Sequence, residues 1–154
     1  MAGPSQADIR NLARFRYALR KFLCFSDTVA RRAGLTPQQH QLLLGVAGFT
    51  NKDAATVGEI AEFLQVRHHS AVGLVDRAEA AGLVRREVNP DDQREVHVTL
   101  TADGSRKLRT LMSLHRTQLS GLRRSLNIFS LEKDNAAIAK RVQRGAKAAR
   151  PARG

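Results

Sequence analysis

The side chains best suited to chemistry are basic or carry an imidazole, and most of them lie in one short stretch. Arg67, His68, His69 and Ser70 open a predicted helix, and Arg94 stands in the polar turn of a predicted hairpin. Side chains of these types bind the phosphates and base edges of nucleic acids. Neighbouring helical residues point about 100° apart, so His68 and His69 do not converge on one metal ion. We therefore expect a binding surface and no metal site.

Signatures of common catalytic sites are missing from the sequence. It contains no glycine-rich phosphate loop with a lysine, no HExxH pattern and no pair of cysteines. Its serines and histidines also lack the arrangement of a nucleophile with its base. We expect that the protein is not an enzyme and takes no cofactor.

The elements around the polar residues follow the order helix, turn, helix, hairpin. Thr56 and Glu59 have the spacing of a capping box and open a short helix. After a break at residues 65–67, the second helix has apolar residues at i, i+3, i+4 and i+7, namely Ala71, Leu74, Val75 and Ala78. Residues 84–88 and 96–100 are predicted strands. This order is that of a winged helix-turn-helix, whose second helix enters the major groove of DNA.

Longer helices are predicted on both sides of this segment. One runs from about Ala7 to Arg32, and Thr36 with Pro37 opens another that ends near Gly48. Thr101 caps a long helix, and a last helix is predicted over residues 131–144. Two of these helices carry apolar stripes typical of helix packing. The stripes are Leu12, Phe15, Leu19, Phe22, Ser26, Val29 and Ala33, then Leu108, Met112, His115, Leu119, Leu122 and Leu126.

Charge favours a polyanionic partner but does not locate the binding site. The chain of 154 residues has a formal net charge of +12 and a pI of about 11.3. Residues 67–109 nevertheless contain eight basic and seven acidic side chains, so the excess lies near the two ends. The prediction of a DNA-reading segment therefore rests on spacing, capping and Arg94 rather than on net charge.

Composition indicates one domain of ordinary size. A hydrophobic fraction of 42% is enough for a core, and no stretch has the roughly 18 apolar residues of a membrane span. Residues 1–6 do not have the pattern of a secretory signal. Cys24 is the single cysteine, which excludes an internal disulfide. We expect a cytoplasmic protein without contact to a membrane.

Five segments, by their order and spacing, resemble the MarR family of regulators. They are Leu35–Gln39, Ile60–Leu64, Leu74–Val84, Asp92–Arg94 and Leu100–Gly104. The resemblance implies a mainly α fold with a small β-hairpin wing, assembled as a triangular homodimer. It implies that residues 7–34 and 102–146 are dimerisation helices and that residues 35–101 are the winged helix-turn-helix domain. Residues 147–154 are interpreted as a basic, disordered tail.

The resemblance also implies a function. It indicates a repressor or activator that binds pseudo-palindromic operators in double-stranded DNA and is often released by a small aromatic ligand. The sequence departs from many relatives at Gly73, where they have a hydrogen-bonding or charged residue. Gly73 costs the helix about 1 kcal/mol relative to alanine. It either permits a close approach to DNA or weakens base readout.

Two arginines have a structural alternative beside the DNA-binding one. Arg94 is predicted to enter a narrow minor groove, where the negative potential is enhanced. Its alternative is an ion pair with Asp91 or Asp92 that stabilises the hairpin. Arg77 is predicted to bind a phosphate, and an ion pair with a nearby acid is an equal alternative.

Three residues are candidates for a ligand site: Cys24, His40 and His115. The helices of His40 and His115 border the cleft in which the family usually places its ligand, although the stripe position of His115 favours an interface hydrogen bond. Some relatives carry a reactive cysteine in the first helix, so a redox-sensing regulator is an alternative; a small apolar packing residue is the other interpretation of Cys24. His97 alternates with valines and is predicted to face away from the packed side of the hairpin.

Two other functions remain open. The basic ends suit a DNA-packing protein with little sequence preference, and some winged domains bind proteins instead of DNA. Arg94 and the histidine pair argue against a protein partner. A discrete footprint on DNA would favour the regulator, whereas a steep salt dependence with little sequence preference would favour DNA packing.

Overall fold

The computed structural model of the chain describes residues 4–126 and contains five helices and three strands in that range. In chain order these are α1 Gln6–Arg32, α2 Pro37–Gly48, β1 Ala54–Ala55, α3 Val57–Leu64, α4 His68–Ala80, β2 Val84–Val88, β3 Val96–Leu100 and α5 Ala102–Leu126. The helix predicted over residues 131–144 and the tail predicted over residues 147–154 lie outside the described residues. Within them, no helix combines the length and apolarity needed to cross a membrane.

The chain divides into two compact units. Residues 21–118 form the central unit, which includes the whole of the predicted winged segment. Residues 1–20 and 119–154 form the terminal unit, of which residues 4–20 and 119–126 are described. In the terminal unit, large apolar side chains are exposed, namely those of Ile9, Leu12, Tyr17, Leu19 and Leu119.

The first two helices of the winged segment begin at the predicted threonines. Thr36 accepts a hydrogen bond from the backbone N–H of Gln39, whose side chain accepts one from the backbone N–H of Thr36. Thr56 and Glu59 form the same reciprocal pair at the start of α3. Each pair satisfies two N–H groups that a helix start otherwise leaves without partners. The predicted starts of α2 and α3 are therefore confirmed.

The predicted hairpin is present, and a third short strand extends it. Strand β3 lies between β1 and β2 and is antiparallel to both. The hairpin register runs from Val84 opposite Leu100 to Val88 opposite Val96. Strand β1 was not predicted, because its two alanines are too few to show a period of two.

The core of the central unit lies between the inner faces of α2, α3, α4 and α5 and the sheet. Three residues of the face predicted for α4 are fully buried, namely Ala71, Val75 and Ala78, and Leu74 is partly buried. The predicted stripe of α5 is only partly correct. Leu108 and His115 are buried, but Met112 is exposed and Leu111, which lies outside the stripe, is fully buried.

Three elements meet at the backbone of Leu83. Gly82 has a φ of +70°, a left-handed conformation that ends α4 and lets the N–H of Leu83 donate to the carbonyl of Ala78 at 3.0 Å. The carbonyl of Leu83 then accepts the N–H of Thr101 at 3.1 Å. A Cβ added to Gly104 would lie 2.1 Å from that same carbonyl oxygen. The start of α5 thus packs directly on the turn that follows α4.

Replacing Gly104 by alanine is expected to lower the free energy of unfolding by at least about 2 kcal/mol, because the new Cβ meets backbone that cannot turn aside. Gly121→Ala is the matched control, since it lies on the same helix and a Cβ there meets nothing within 4 Å among the described residues. It is expected to raise stability by up to about 1 kcal/mol. Urea unfolding followed by circular dichroism measures both. Equal effects of the two substitutions would contradict the packing described.

Candidate nucleic-acid interface

The N-terminus of α4 differs from those of α2 and α3. Arg67 takes the N-cap position with extended backbone (φ −69°, ψ 150°), but its side chain makes no capping hydrogen bond. His68, His69 and Ser70 follow in the first turn, and all four side chains are exposed. An uncapped helix start presents backbone N–H groups and the positive end of the helix dipole, which together favour phosphate. The predicted contact residues therefore share one exposed helix end.

The outer face of α4 continues this surface through Gly73 and Arg77. Arg77 is exposed, and its Nη1 lies 3.4 Å from the position that a Cβ on Gly73 would take. The arginine thus folds back along its own helix over the glycine. Within residues 4–126 no ion pair joins Arg77 to an acid. Its guanidinium therefore remains available on the outer face of the helix.

The acids near Arg77 are engaged by Arg86 of the wing, which the sequence did not single out. Nη2 of Arg86 donates to Asp76 at 2.6 Å, and Nη1 donates to Glu79 at 2.5 Å. The backbone N–H of Arg86 donates to the other oxygen of Glu79 at 3.0 Å. Partial burial lowers the pKa of Arg86, but the hydrogen bonds to Asp76 and Glu79 outweigh it and raise the pKa above its ordinary value. These contacts join β2 to α4.

A signal for this clamp was present in the alternation of β2. Val84 is buried against the core, and side chains two positions apart lie on the same face of a strand. Arg86 therefore had to face the same way as Val84, towards α4. Asp76 and Glu79, three positions apart on α4, lie on one side of that helix.

The turn of the wing is ordered by its own polar side chains. Asn89 accepts the N–H of Asp91 at 3.0 Å, and Asp92 accepts the N–H of Arg94 at 3.0 Å. The backbone of Asn89 and Glu95 closes the turn with a hydrogen bond of 2.8 Å. Among the described residues, neither Asp91 nor Asp92 forms an ion pair with the Arg94 side chain. Arg94 is exposed at the tip.

Glu95 and His97 form a second polar contact at the base of this turn. The side-chain amide of Asn89 donates to Glu95 at 2.7 Å, and it is the main reason that the pKa of Glu95 lies below its usual value. Glu95 also lies 3.1 Å from Nε2 of His97. Val98 is buried, so His97 lies on the other face of the strand, as predicted, although its side chain is only 18% exposed.

The three residues predicted near a ligand cleft do not lie together. His40 and His115 are both buried in the central unit, with ring centroids 5.2 Å apart. His115 makes a hydrogen bond, as predicted, but within one chain: its Nε2 lies 3.0 Å from the hydroxyl of Ser26. Cys24 is exposed on α1, in a shallow groove that Lys21 and Arg32 also line. It is therefore not a core packing residue of the described unit.

A cavity of about 430 Å³ lies between the end of α2, strand β3 and the start of α5. Its walls are partly apolar and partly polar, and Asp53 and Arg109 bring opposite charges to it. The lining residues are Ala47, Asp53, Thr99, Leu100, Ser105, Leu108, Arg109 and Met112. Nowhere in the described range are three His, Cys, Asp or Glu side chains grouped as they would be to hold a metal ion.

Comparison with known sequences relates part of the chain to a protein family. Residues 33–95 match the model of the MarR family. This segment belongs to the MarR family. YfiV of Bacillus subtilis (strain 168), an uncharacterized HTH-type transcriptional regulator, is 32% identical to the chain over 100 residues. The match covers 65% of this chain and 58% of YfiV, so it spans little more than half the length of that relative.

Two solved structures of DNA-binding proteins superpose on most of the chain. The MepR–DNA complex of S. aureus has a TM-score of 0.64 at 19% identity and covers 90% of this chain and 95% of MepR. BpsR of Bordetella bronchiseptica, in a structure concerned with regulation of its DNA binding by 6-hydroxynicotinic acid, has a TM-score of 0.60 at 18% identity and covers 86% and 98%. These likenesses confirm the predicted winged-helix fold. MarR-family proteins are transcription regulators and not enzymes.

The Arg86 clamp is expected to hold the MarR-type wing in place. Arg86→Met should lower the free energy of unfolding by about 1 kcal/mol, because one exposed and one partly buried ion pair are lost. Amide hydrogen exchange should also accelerate in β2 and at the wing turn. Arg85→Met is the control: Arg85 is the adjacent residue, largely exposed, and pairs only with its strand neighbour Glu87 among the described residues. If both variants exchange at the same rate, Arg86 does not fix the wing.

Proposed function

We propose that the protein is a homodimeric regulator of transcription that binds specific sequences in double-stranded DNA. The observation that carries this proposal is which charged side chains make contacts within the chain and which remain exposed. Asp76 and Glu79 of the recognition helix α4 and Asp92 of the wing turn are used in internal contacts, whereas Arg67, Arg77 and Arg94 keep exposed side chains. An uncapped helix start and an exposed arginine at the wing tip are what a winged helix needs to contact two grooves.

In this proposal the first turn of α4 enters the major groove, which is about 12 Å wide. His68, His69 and Ser70 contact bases or phosphates there, since neutral imidazole and hydroxyl groups both donate and accept hydrogen bonds. Gly73 has no side chain, so this face of α4 approaches the DNA closely. Arg77 binds the phosphate backbone along the same face. The wing places Arg94 in the neighbouring minor groove, where the potential is most negative.

Dimerisation is supported by the apolar side chains that α1 and α5 expose in a single chain. Tyr17 is 65% exposed, Leu12 57% and Ile9 55%, and Leu114 and Leu119 of α5 are also exposed. A second copy of the chain is the partner that covers such stripes on the terminal helices, here within the proposed dimerisation ranges 7–34 and 102–146. Two-fold symmetry then requires pseudo-palindromic operators with half-site centres about 10 base pairs apart.

Arg94→Ala is expected to weaken binding to the footprinted operator at least about tenfold and to leave folding unchanged, because the Arg94 side chain is exposed at the wing tip. Arg106→Ala removes the same charge from α5, outside the winged segment, and should change affinity less than about twofold. Footprinting on the DNA upstream of the gene identifies the operator, and fluorescence anisotropy at fixed salt measures the dissociation constants.

Two outcomes would contradict the proposal. Equal losses for Arg94→Ala and Arg106→Ala would mean that binding depends on net charge alone. A continuous footprint with a steep salt dependence would favour the DNA-packing protein instead of the regulator. A discrete footprint that persists in Arg94→Ala would support a sequence-specific regulator but would exclude a contact between Arg94 and the minor groove.

We further propose that the regulator is a repressor released by a small aromatic acid. The cavity beside β3 supports this, because Leu100, Leu108 and Met112 offer an apolar wall for a ring and Arg109 offers a partner for a carboxylate. BpsR shares the fold, and its DNA binding is regulated by 6-hydroxynicotinic acid. The residues proposed earlier for a ligand site, Cys24, His40 and His115, do not line this cavity.

Benzoate, salicylate and 6-hydroxynicotinate are suitable probes for this cavity. We expect at least one of them to weaken operator binding and to raise the melting temperature by a few degrees, since a ligand that binds only the folded state stabilises it. Arg109→Gln should abolish both effects, whereas Arg116→Gln, on the same helix but outside the cavity lining, should retain them. Release that survives Arg109→Gln would place the effector elsewhere.

A further inference from the structure

The buried polar side chains of the described core are two histidines, and they lie together. His40, in the first turn of α2, is 2% exposed, and His115, on α5, is 4% exposed. The hydroxyl of Ser26, on α1, lies 3.0 Å from Nε2 of His115 and 3.5 Å from Nδ1 of His40. Three helices therefore contribute to one polar cluster, formed by Ser26, His40 and His115, inside an otherwise apolar core.

The hydrogen bonds fix where the protons of this cluster lie. Nδ1 of His115 is 2.8 Å from the carbonyl of Leu111, which only accepts, so Nδ1 carries the hydrogen. Nε2 of the neutral ring then accepts the hydroxyl hydrogen of Ser26. The lone pairs of that hydroxyl in turn accept Nδ1–H of His40. Nε2 of His40 is left as a buried acceptor without a partner among the described residues.

An additional proton on His40 would place an N–H and a positive charge where no acceptor lies among the described residues. Two cationic rings with centroids 5.2 Å apart would also repel each other.

The surroundings give the sign of the pH dependence. Burial lowers the pKa of His40 below its ordinary value of 6.5, the facing His115 of α5 lowers it further, and Asp27 of α1 raises it. Phe22 and Phe25 pack edge-on against His115 and add no charge. Below pH 6.5 the unfolded chain therefore binds more protons than the folded one. The stability of the cluster is complete above pH 6.5 and is lost progressively as the pH falls below that value.

We propose that Ser26, His40 and His115 form a proton-sensitive latch that holds α2 against α1 and α5 at neutral pH and loosens it on acidification. Helix α2 packs against both α3 and α4. Movement of α2 therefore shifts the recognition helix and weakens DNA binding. This consequence for DNA rests on the proposed function, whereas the latch itself does not.

The test follows stability and operator affinity of the full chain at pH 7.5 and pH 5.5. In wild type, we expect the unfolding equilibrium constant to rise up to about tenfold more than in His40→Phe over this interval, since each pKa unit between the folded and unfolded states is a factor of ten. The wild-type dissociation constant for the operator should rise about threefold or more relative to that variant. His97→Gln, which removes a histidine outside the cluster, should retain the wild-type pH dependence of unfolding.

Nuclear magnetic resonance of the imidazole protons follows the titration of His40 in the wild-type protein, without a substitution in the core. His40 should titrate below pH 6.5, and a titration at or above 6.5 would overturn the latch. His40→Gln replaces His40→Phe if the latter does not fold. Equal pH dependence of unfolding in wild type and the variant would also overturn it. If unfolding depends on pH as expected but no operator is found, the latch stands and the proposed function fails.

Discussion

The backbone of Leu83 is the point on which the rest of the described fold depends. Its N–H ends α4, its carbonyl receives the end of β3 through Thr101, and Gly104 brings α5 into contact with that same carbonyl. Helix α4, the hairpin of β2 and β3, and helix α5 are therefore fixed to one peptide rather than joined by flexible links. Such direct backbone contact leaves no room for a side chain, which explains a glycine within the first turn of α5.

The charged side chains of residues 67–109 differ in whether they contact other groups of the chain or remain exposed. Asp76 and Glu79 face Arg86, and Asp92 accepts a backbone N–H, so these carboxylates are held in contacts within the chain. A segment with nearly equal numbers of acids and bases can therefore present a basic surface. Net charge over the segment is a poor guide to its partner, because it counts paired and exposed groups alike.

Much of the fold was predictable because its signals are local. Capping at Thr36 and Thr56, the left-handed glycine after α4 and the alternation of β3 each depend on residues within one or two turns. The Arg86 clamp and the Ser26 cluster depend on which helices face each other. Ser26 and His115 are far apart in sequence, and a serine in an apolar stripe looks like a small packing residue until its partner is placed beside it.

Strand β3 connects the surfaces to which we assign different tasks. It begins beside the wing turn, passes the cavity at Thr99 and Leu100, and ends at Thr101, where α5 is capped. Both of its edges are hydrogen-bonded, to β1 and to β2, so it moves only with its neighbours. An event at the cavity must therefore displace the sheet as a body if it is to reach Arg94. Coupling of this kind requires two discrete packings of the sheet on α5, each favoured by a different ligand.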